Sequence, residues 1–222
     1  MKSSHAHPPK SLDRPLEHDP SDWPAQENYH LLTALVIPRP IAWISSLSPD
    51  GVRNIAPHSF FNAVSADPPH VMVSSTGVKD SVRNIRATGE FVLNIVTMDV
   101  IEDMVFTSTD FPPEEDEFDW SGLTAAPSAK VAAPRIGQAK AHLECVSVDE
   151  MTLGDATLIF GRVVHMHIDP AVWRNGRVDP ALLDPVCRLS GSGYAALGER
   201  SRLAIPRWQD VAGSGHRSPR PR

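Results

Sequence analysis

Cysteine is scarce. The two in 222 residues, Cys145 and Cys187, supply neither a disulfide framework nor a cysteine-based metal site. Cys145 falls in an apolar strand pattern and reads as a buried thiol, so a reducing, cytoplasmic setting is expected. Long apolar runs are also missing. None approaches the ~20 residues of a membrane-spanning helix, and the opening MKSSHAHPPKSLDRPLEHD lacks the apolar core of a secretory signal. Basic charge is short as well: the formal net charge is −6 and no basic stripe crosses the body, which argues against a nucleic-acid partner. Neither a nucleophile elbow nor an H-E-x-x-H pattern occurs.

Proline, by contrast, is abundant, at 21 residues against an average share of about 5%. The prolines crowd the first 24 residues, the stretch 112–134 and the region after 170. This divides the chain into a Pro-rich arm (1–28), one folded domain with a C-terminal wrapping segment (29–208) and a disordered basic tail (209–222). His5, His7 and His18 belong to the solvated arm.

Within the body, residues 29–35 suit a short helical turn ended by Pro38-Arg39-Pro40. Residues 41–47 alternate as a strand, with Ile41, Trp43 and Ser45 on one face and Ala42, Ile44 and Ser46 on the other. Ser48-Pro49-Asp50-Gly51 turns the chain into a returning strand, 52–56, that Pro57 should break. A strand over 70–75 leads through Thr76-Gly77-Val78-Lys79 into a helix capped by Asp80 or Ser81 and stopped at Gly89. Residues 91–96 read as a strand buried on both faces. Residues 99–108 suit a helix capped by Asp99. Residues 110–120 form an acidic segment, either a solvated loop or a lid. Two long strands, 138–148 and 157–168, flank a MTLGDA turn. The fold class is therefore mainly β: a closed antiparallel barrel with a few short helices.

Three clusters carry chemistry. In the first, Ser75, Lys79 and Ser81 gather where a strand hands over to a helix N-terminus, an arrangement suited to phosphate; the same residues also suit a plain capped helix with an exposed lysine. In the second, residues 54–65 set Phe60 and Phe61 beside Ser59 and Asn62, offering aromatic surface next to polar groups, although either phenylalanine could be core. In the third, Arg39 and Pro40 open a strand whose start leaves backbone groups free, while Arg39 could equally form a surface pair.

The run PRPIAWISSLSPDGVRNIAPHSFFNAVSADPPHVMVSS, then KDSVRNIRATGEFVLNIV, resembles the flavin reductase-like family of FMN-binding split barrels, and AHLECVSVDEMTLGDATLIFGRVVHMHID resembles its second half. The likeness spans roughly residues 30–200. It implies a split barrel of antiparallel Greek-key type, a homodimer with FMN (FAD being the alternative) near the subunit interface, and hydride transfer from NAD(P)H to flavin. It also implies a monooxygenase as a possible recipient of reduced flavin. Arg39, Ile41, Ala42, Trp43, Ser45 and Ser46 would lie along the flavin ring. Ala56, Pro57, Ser59, Phe60 and Asn62 would wrap the ring and ribityl chain, and Ser75, Lys79 and Ser81 would hold the phosphate. The cofactor carries the chemistry, so no catalytic residue is assigned. An FMN carrier without its own NAD(P)H site, and a barrel relative that binds haem or pyridoxal phosphate, are the alternatives. Tyr194 would approach the flavin or the neighbouring subunit.

Two further patterns carry less. Gly191-Ser192-Gly193-Tyr194-Ala195-Ala196 matches a dinucleotide fingerprint but has no βαβ unit around it. His165 and His167 share a strand face near His142, which reads as an exposed polar face rather than a metal site.

Overall fold

A computed structural model describes residues 17–212. His5, His7 and the tail from 213 onward lie outside the described residues. The body is built on seven strands: β1 (Ala42–Leu47), β2 (Arg53–His58), β3 (Phe60–Ala66), β4 (Pro69–Thr76), β5 (Glu90–Ile95), β6 (Ala141–Leu153) and β7 (Ala156–Ile168). They form one antiparallel sheet in the order β2-β1-β5-β6-β7-β4-β3.

That order makes the sheet curl. β2 and β3 are its two edges, yet a single residue, Ser59, joins them in the chain. A flat seven-stranded sheet would separate its edges by about 29 Å, at ~4.8 Å per strand spacing. One residue reaches only ~3.5 Å. The sheet must coil until its edges meet, and they meet without a hydrogen-bonded ladder between β2 and β3. The result is a mainly β barrel, antiparallel throughout and split along one seam, as the sequence led us to expect.

Local chemistry sets each turn. Gly51, at φ +87°, closes the β1–β2 hairpin, and its N–H donates to Ser48 O at 3.0 Å. β2 continues through Pro57 to His58 instead of breaking there. It is an edge strand, so the missing proline N–H costs no ladder bond. The β6–β7 hairpin turns on Gly154-Asp155 alone, so Met151, Thr152 and Leu153 of the expected turn remain in strand.

Helix α1 (Ala25–Leu35) is longer than the single turn expected and starts directly after Pro24. Helix α2 (Asp80–Thr88) follows β4 and ends at Gly89, whose left-handed backbone lets its N–H donate to Ile85 O at 2.8 Å. Its cap differs from expectation. Lys79 is the N-cap and offers no side-chain bond, because the Asp80 carboxylate turns to Arg83 and the Ser81 hydroxyl to Asn54. The segment expected as one helix over 99–108 is a 3₁₀ turn, Met98–Val100, followed by α3 (Ile101–Phe106). Asp99 does not cap it; it accepts from Thr97 and pairs with Lys140 at 3.0 Å. Inside the acidic segment lies α4 (Glu117–Ser121), capped by Asp116.

Two large apolar cores follow from strand alternation, beside a small cluster of Val92, Val131 and Ala133. Ala42, Ile44, Val71, Val73, Phe91, Leu93, Cys145 and Ile159 fill the concave face, and α2 adds Val82 and Ile85. Ile41, Trp43, Ile55 and Val96 face the other way and meet Val100, Met104 and Phe118. β1 and β5 are thus covered on both sides, and Trp43, Phe91 and Leu93 are fully buried. Burial also pushes the Cys145 thiol up to about 12, so it is a neutral core side chain. The chain after β7 returns to the start of the body: Arg39–Pro40 pairs with Cys187–Arg188, which pairs with Tyr194–Ala195.

Candidate functional site

Beside the seam, a cavity of about 630 Å³ opens between β2 and the end of β4. β2 lines one wall with residues 54–58, and the end of β4 lines the other with Ser74, Ser75 and Thr76. The first turn of α2, with Lys79, Asp80 and Ser81, forms the floor at one end. Tyr29 from α1, Phe60 from β3, and residues 107–111 after α3 complete the lining. The Tyr29 and Phe60 rings stand 6.3 Å apart, centroid to centroid. The strand–helix junction thus supplies polar and charged groups, and two aromatic rings share the lining, Phe60 lying directly across the β3–β4 ladder from Ser74, within a volume typical of small-molecule sites, ~300–1,000 Å³.

The polar end is built to receive an anion. Ser75 Oγ is buried and has no hydrogen-bond partner. Such an orphan is costly unless a ligand or water completes it. Lys79 makes no ion pair among the described residues. The α2 N-terminus has no side-chain cap, so its first N–H groups and the positive end of its dipole face outward. The Asp80 charge, which would oppose an anion, is engaged by Arg83. A hydroxyl, an ammonium and a helix N-terminus together form a phosphate cradle.

Behind the cradle lies a buried polar chain. His58 Nε2 is 3.5 Å from Ser81 Oγ. Ser81 Oγ donates to Asn54 Oδ1 at 3.0 Å, and Asn54 Nδ2 donates to Glu117 Oε1 at 2.6 Å. Glu117 also accepts from the Ile55 N–H at 3.3 Å, and Ser46 Oγ donates to Asn54 Oδ1 at 3.3 Å. Burial, reinforced by the Lys79 charge, lowers the His58 pKa to about 4, so the ring is neutral near pH 7. Burial likewise raises the Glu117 carboxyl above its ordinary range. Arg53 clamps α4 from outside by pairing with Asp116 at 2.5 Å and Asp119 at 2.7 Å. The acidic segment thus divides: residues 110–114 form a mostly exposed loop, as expected, whereas Glu117–Ser121 is a helix held to β2.

Of the residues expected at the site, the structure brings Ala56, Pro57, Ser59, Phe60, Ser75, Lys79 and Ser81 to this one cavity. Phe61, the other half of the aromatic pair, packs on the concave core. Seven expected residues lie off the cavity wall. Ile41, Ala42 and Trp43 are core, and Trp43 Nε1 donates to Thr107 Oγ1 at 2.9 Å. Ser45 donates to Pro134 O at 2.5 Å, and Ser46 sits behind Asn54. Asn62 is exposed on β3 and accepts from the Ala63 N–H. Arg39 is buried without a carboxylate, its guanidinium donating to Thr33 O and Val36 O at 2.7 Å and to Leu189 O at 2.9 Å. It fixes the end of α1 to the C-terminal segment, so neither the surface pair nor direct cavity contact describes it.

Sequence reading missed His58, Asn54, Glu117 and Tyr29. His58 and Asn54 stood inside the segment already singled out, and a polar residue facing across a strand end was the available signal. Glu117 and Tyr29 come from distant elements that only the fold brings near. The histidine face also differs from expectation. His142 is buried, His167 Nε2 bonds Glu144 Oε1 at 2.5 Å, and Glu144 accepts the Ala129 and Lys130 N–H groups at 2.7 and 2.6 Å. These groups anchor the 127–133 loop and are not an exposed face; among the described residues no three such side chains are grouped to hold a metal.

The chain is 41% identical over 178 residues to an uncharacterized protein of Aquifex aeolicus, covering 77% of this chain and 91% of that one. Among solved structures, nitrilotriacetate monooxygenase component B from Bacillus cereus superposes with a TM-score of 0.83 at 35% identity, covering 86% of this chain and all of that one. The 2-nitrobenzoate 2-nitroreductase of Pseudomonas fluorescens superposes with a TM-score of 0.81 at 31% identity, covering 87% of this chain and 98% of that one. Residues 34–182 match the flavin reductase like domain model, and with the split antiparallel barrel and its seam cavity this establishes that the chain belongs to the flavin reductase-like family.

Proposed function

We propose that the chain binds FMN in the seam cavity and acts as an NAD(P)H:flavin oxidoreductase. The observation that carries this reading is the anion cradle beside an aromatic wall: the partnerless Ser75 hydroxyl, unpaired Lys79 and the open α2 N-terminus share one cavity with Tyr29 and Phe60. Those groups fit the phosphate and the apolar ring system of FMN respectively. Bound FMN supplies a hydride acceptor that nicotinamide can reduce.

The chain's residues then have separate tasks. Ser75, Lys79 and Ser81 hold the phosphate. Phe60 and Tyr29 shield the ring from water, and Ala56, Pro57 and Ser59 approach it along β2 with small side chains. No group needs to act as general acid or base, because positioning of the two rings at ~3–3.5 Å is the main requirement.

Exposed aliphatic side chains such as Leu35, Val64 and Leu153 support a homodimer. The likeness to a monooxygenase component supports a monooxygenase that draws on the reduced flavin. Free cysteines support a cytoplasmic setting. The test is an anaerobic titration of the FMN-loaded protein with NADH and with NADPH, followed by flavin absorbance. Bleaching within the turnover time is expected. Stable yellow colour with both nicotinamides would assign the protein as a flavin carrier, and a colourless protein with no affinity for FMN would remove the flavin reading.

A further inference from the structure

His58 closes β2 at the point where β2, β4 and α2 converge. It is buried, hydrogen bonded to the Ser74 backbone, and 3.5 Å from the Ser81 hydroxyl. Such placement spends a titratable side chain on a wall that an aliphatic residue could fill. The geometry points to a reason: we propose that His58 takes up a proton when a phosphate monoester dianion enters the cradle, and so makes the site favour phosphorylated flavin over its unphosphorylated form. This rests on the flavin reading above and specifies how the site distinguishes one flavin from another.

Charged and titratable groups of both signs surround the cavity that the ring adjoins. Lys79, Asp80 and Arg83 line it from α2 and the preceding loop, Asp155 from the β6–β7 turn, Glu117 from α4, Asp110 from the segment after α3, and Tyr29 from α1. Asp80 is neutralised by Arg83, and Glu117 is turned to Asn54 and the Ile55 N–H. Lys79 is the charge that acts on the ring after burial itself, and it opposes protonation. A dianion seated between Lys79 and Ser81 cancels that opposition. It also sets negative charge one side chain away from the imidazole, where opposite charges typically raise a pKa by ~1–3 units.

The hydrogen bonds can follow. Ser81 now gives its proton to Asn54 Oδ1, but Ser46 Oγ donates to the same oxygen at 3.3 Å. Ser81 is therefore free to turn its proton to the phosphate. Its oxygen then accepts from His58 Nε2–H, and the Ser74 backbone holds the other nitrogen. A doubly protonated ring is then satisfied on both sides while Ser81 still gives its proton to the anion.

The experiment measures binding of FMN and of riboflavin by calorimetry to wild type and to His58→Gln, each in two buffers of different ionisation enthalpy. At pH 6, wild type should take up about half a proton more than the variant on binding FMN, for a rise of ~2 units, and no more than the variant on binding riboflavin. The ratio of variant to wild-type Kd for FMN should grow about fourfold from pH 7.5 to 5.5 on the same basis. Imidazole ¹⁵N shifts of the wild-type protein, titrated with each flavin at pH 6, give the same answer should the variant not fold. FMN binding with equal proton counts in both proteins, or with unchanged His58 shifts, overturns the proposal and leaves the flavin site standing. Failure of both flavins to bind would remove the flavin reading and this inference together.

Discussion

Ser81 Oγ donates to Asn54 Oδ1 at 3.0 Å, and this bond ties the first turn of α2 to the edge strand β2 across the seam. It sets the hydroxyl beside Lys79 and the partnerless Ser75, so the cradle is shaped before any anion arrives. Lys79→Ala combined with Ser81→Ala should therefore weaken FMN binding by ~1.5–3 kcal/mol for the lost charge-assisted bond, or about 10- to 150-fold. Riboflavin, which lacks the phosphate, should lose far less. Equilibrium dialysis of both ligands decides it, and equal losses would move the phosphate elsewhere.

Glu117 accepts two bonds from β2, and both donors belong to buried residues. Glu117→Ala leaves Asn54 Nδ2 and the Ile55 N–H without partners, at a cost of ~1–3 kcal/mol for each buried orphan. A fall in Tm of about 5–10 °C is expected for a chain of this size. Glu117→Gln retains an acceptor oxygen and should cost less than half as much. Equal melting temperatures for the two variants would show that α4 is held by the Arg53 pairs instead.

Acidification should destabilise the flavin-free protein earlier than carboxylate protonation alone predicts. The His58 pKa is about 4 in the folded state against 6.5 unfolded. Between those values the unfolded chain binds more protons, so stability falls as pH drops through that window. The full difference of 2.5 units, from 6.5 minus 4, corresponds to on the order of 3 kcal/mol. His142, lowered by burial, acts in the same direction from 6.5 downward. Glu117, raised by burial, acts oppositely: its folded form keeps a proton that the unfolded form has released, so its contribution is lost as pH rises through the folded value. Melts at pH 7.5, 6.0 and 5.0 should show a slope that His58→Gln flattens. Parallel slopes would mean that the ring is protonated in the folded state.

The strands were legible because alternation and turn chemistry are local. Ser48-Pro49-Asp50-Gly51 closes a hairpin wherever it lies, and the apolar run before Asn94 could only be a doubly covered strand. What escaped was set by tertiary placement. Pro57 stays in strand only because β2 is an edge. The Arg39 partner Leu189 is 150 residues away, so no local rule could have turned its guanidinium from a ligand contact to a carbonyl cage. Ser75, Lys79 and Ser81 were found because strand, loop and helix N-terminus are consecutive in sequence. Glu117 was not found, because in the sequence it is one acid among many in an acidic run.

Gly161 provides a test of the concave core. A Cβ built there would meet the Phe91 ring at 2.4 and 2.9 Å and Cys145 Cβ at 3.2 Å. Phe91 is fully buried, the register shifts by one residue next to Gly161, and the missing side chain leaves room for the ring to approach the backbone. Neither Phe91 nor the strands around it can retreat, because α2 packs on the same core through Val82 and Ile85. Gly161→Val should therefore lower stability by ~1–3 kcal/mol through overpacking, read as a shifted urea midpoint with an unchanged slope. Gly161→Val combined with Phe91→Leu should recover part of the loss, because the shorter side chain vacates the ring positions that clash. Strictly additive losses in the double variant would mean that the strand accommodates the branch by moving away from Phe91.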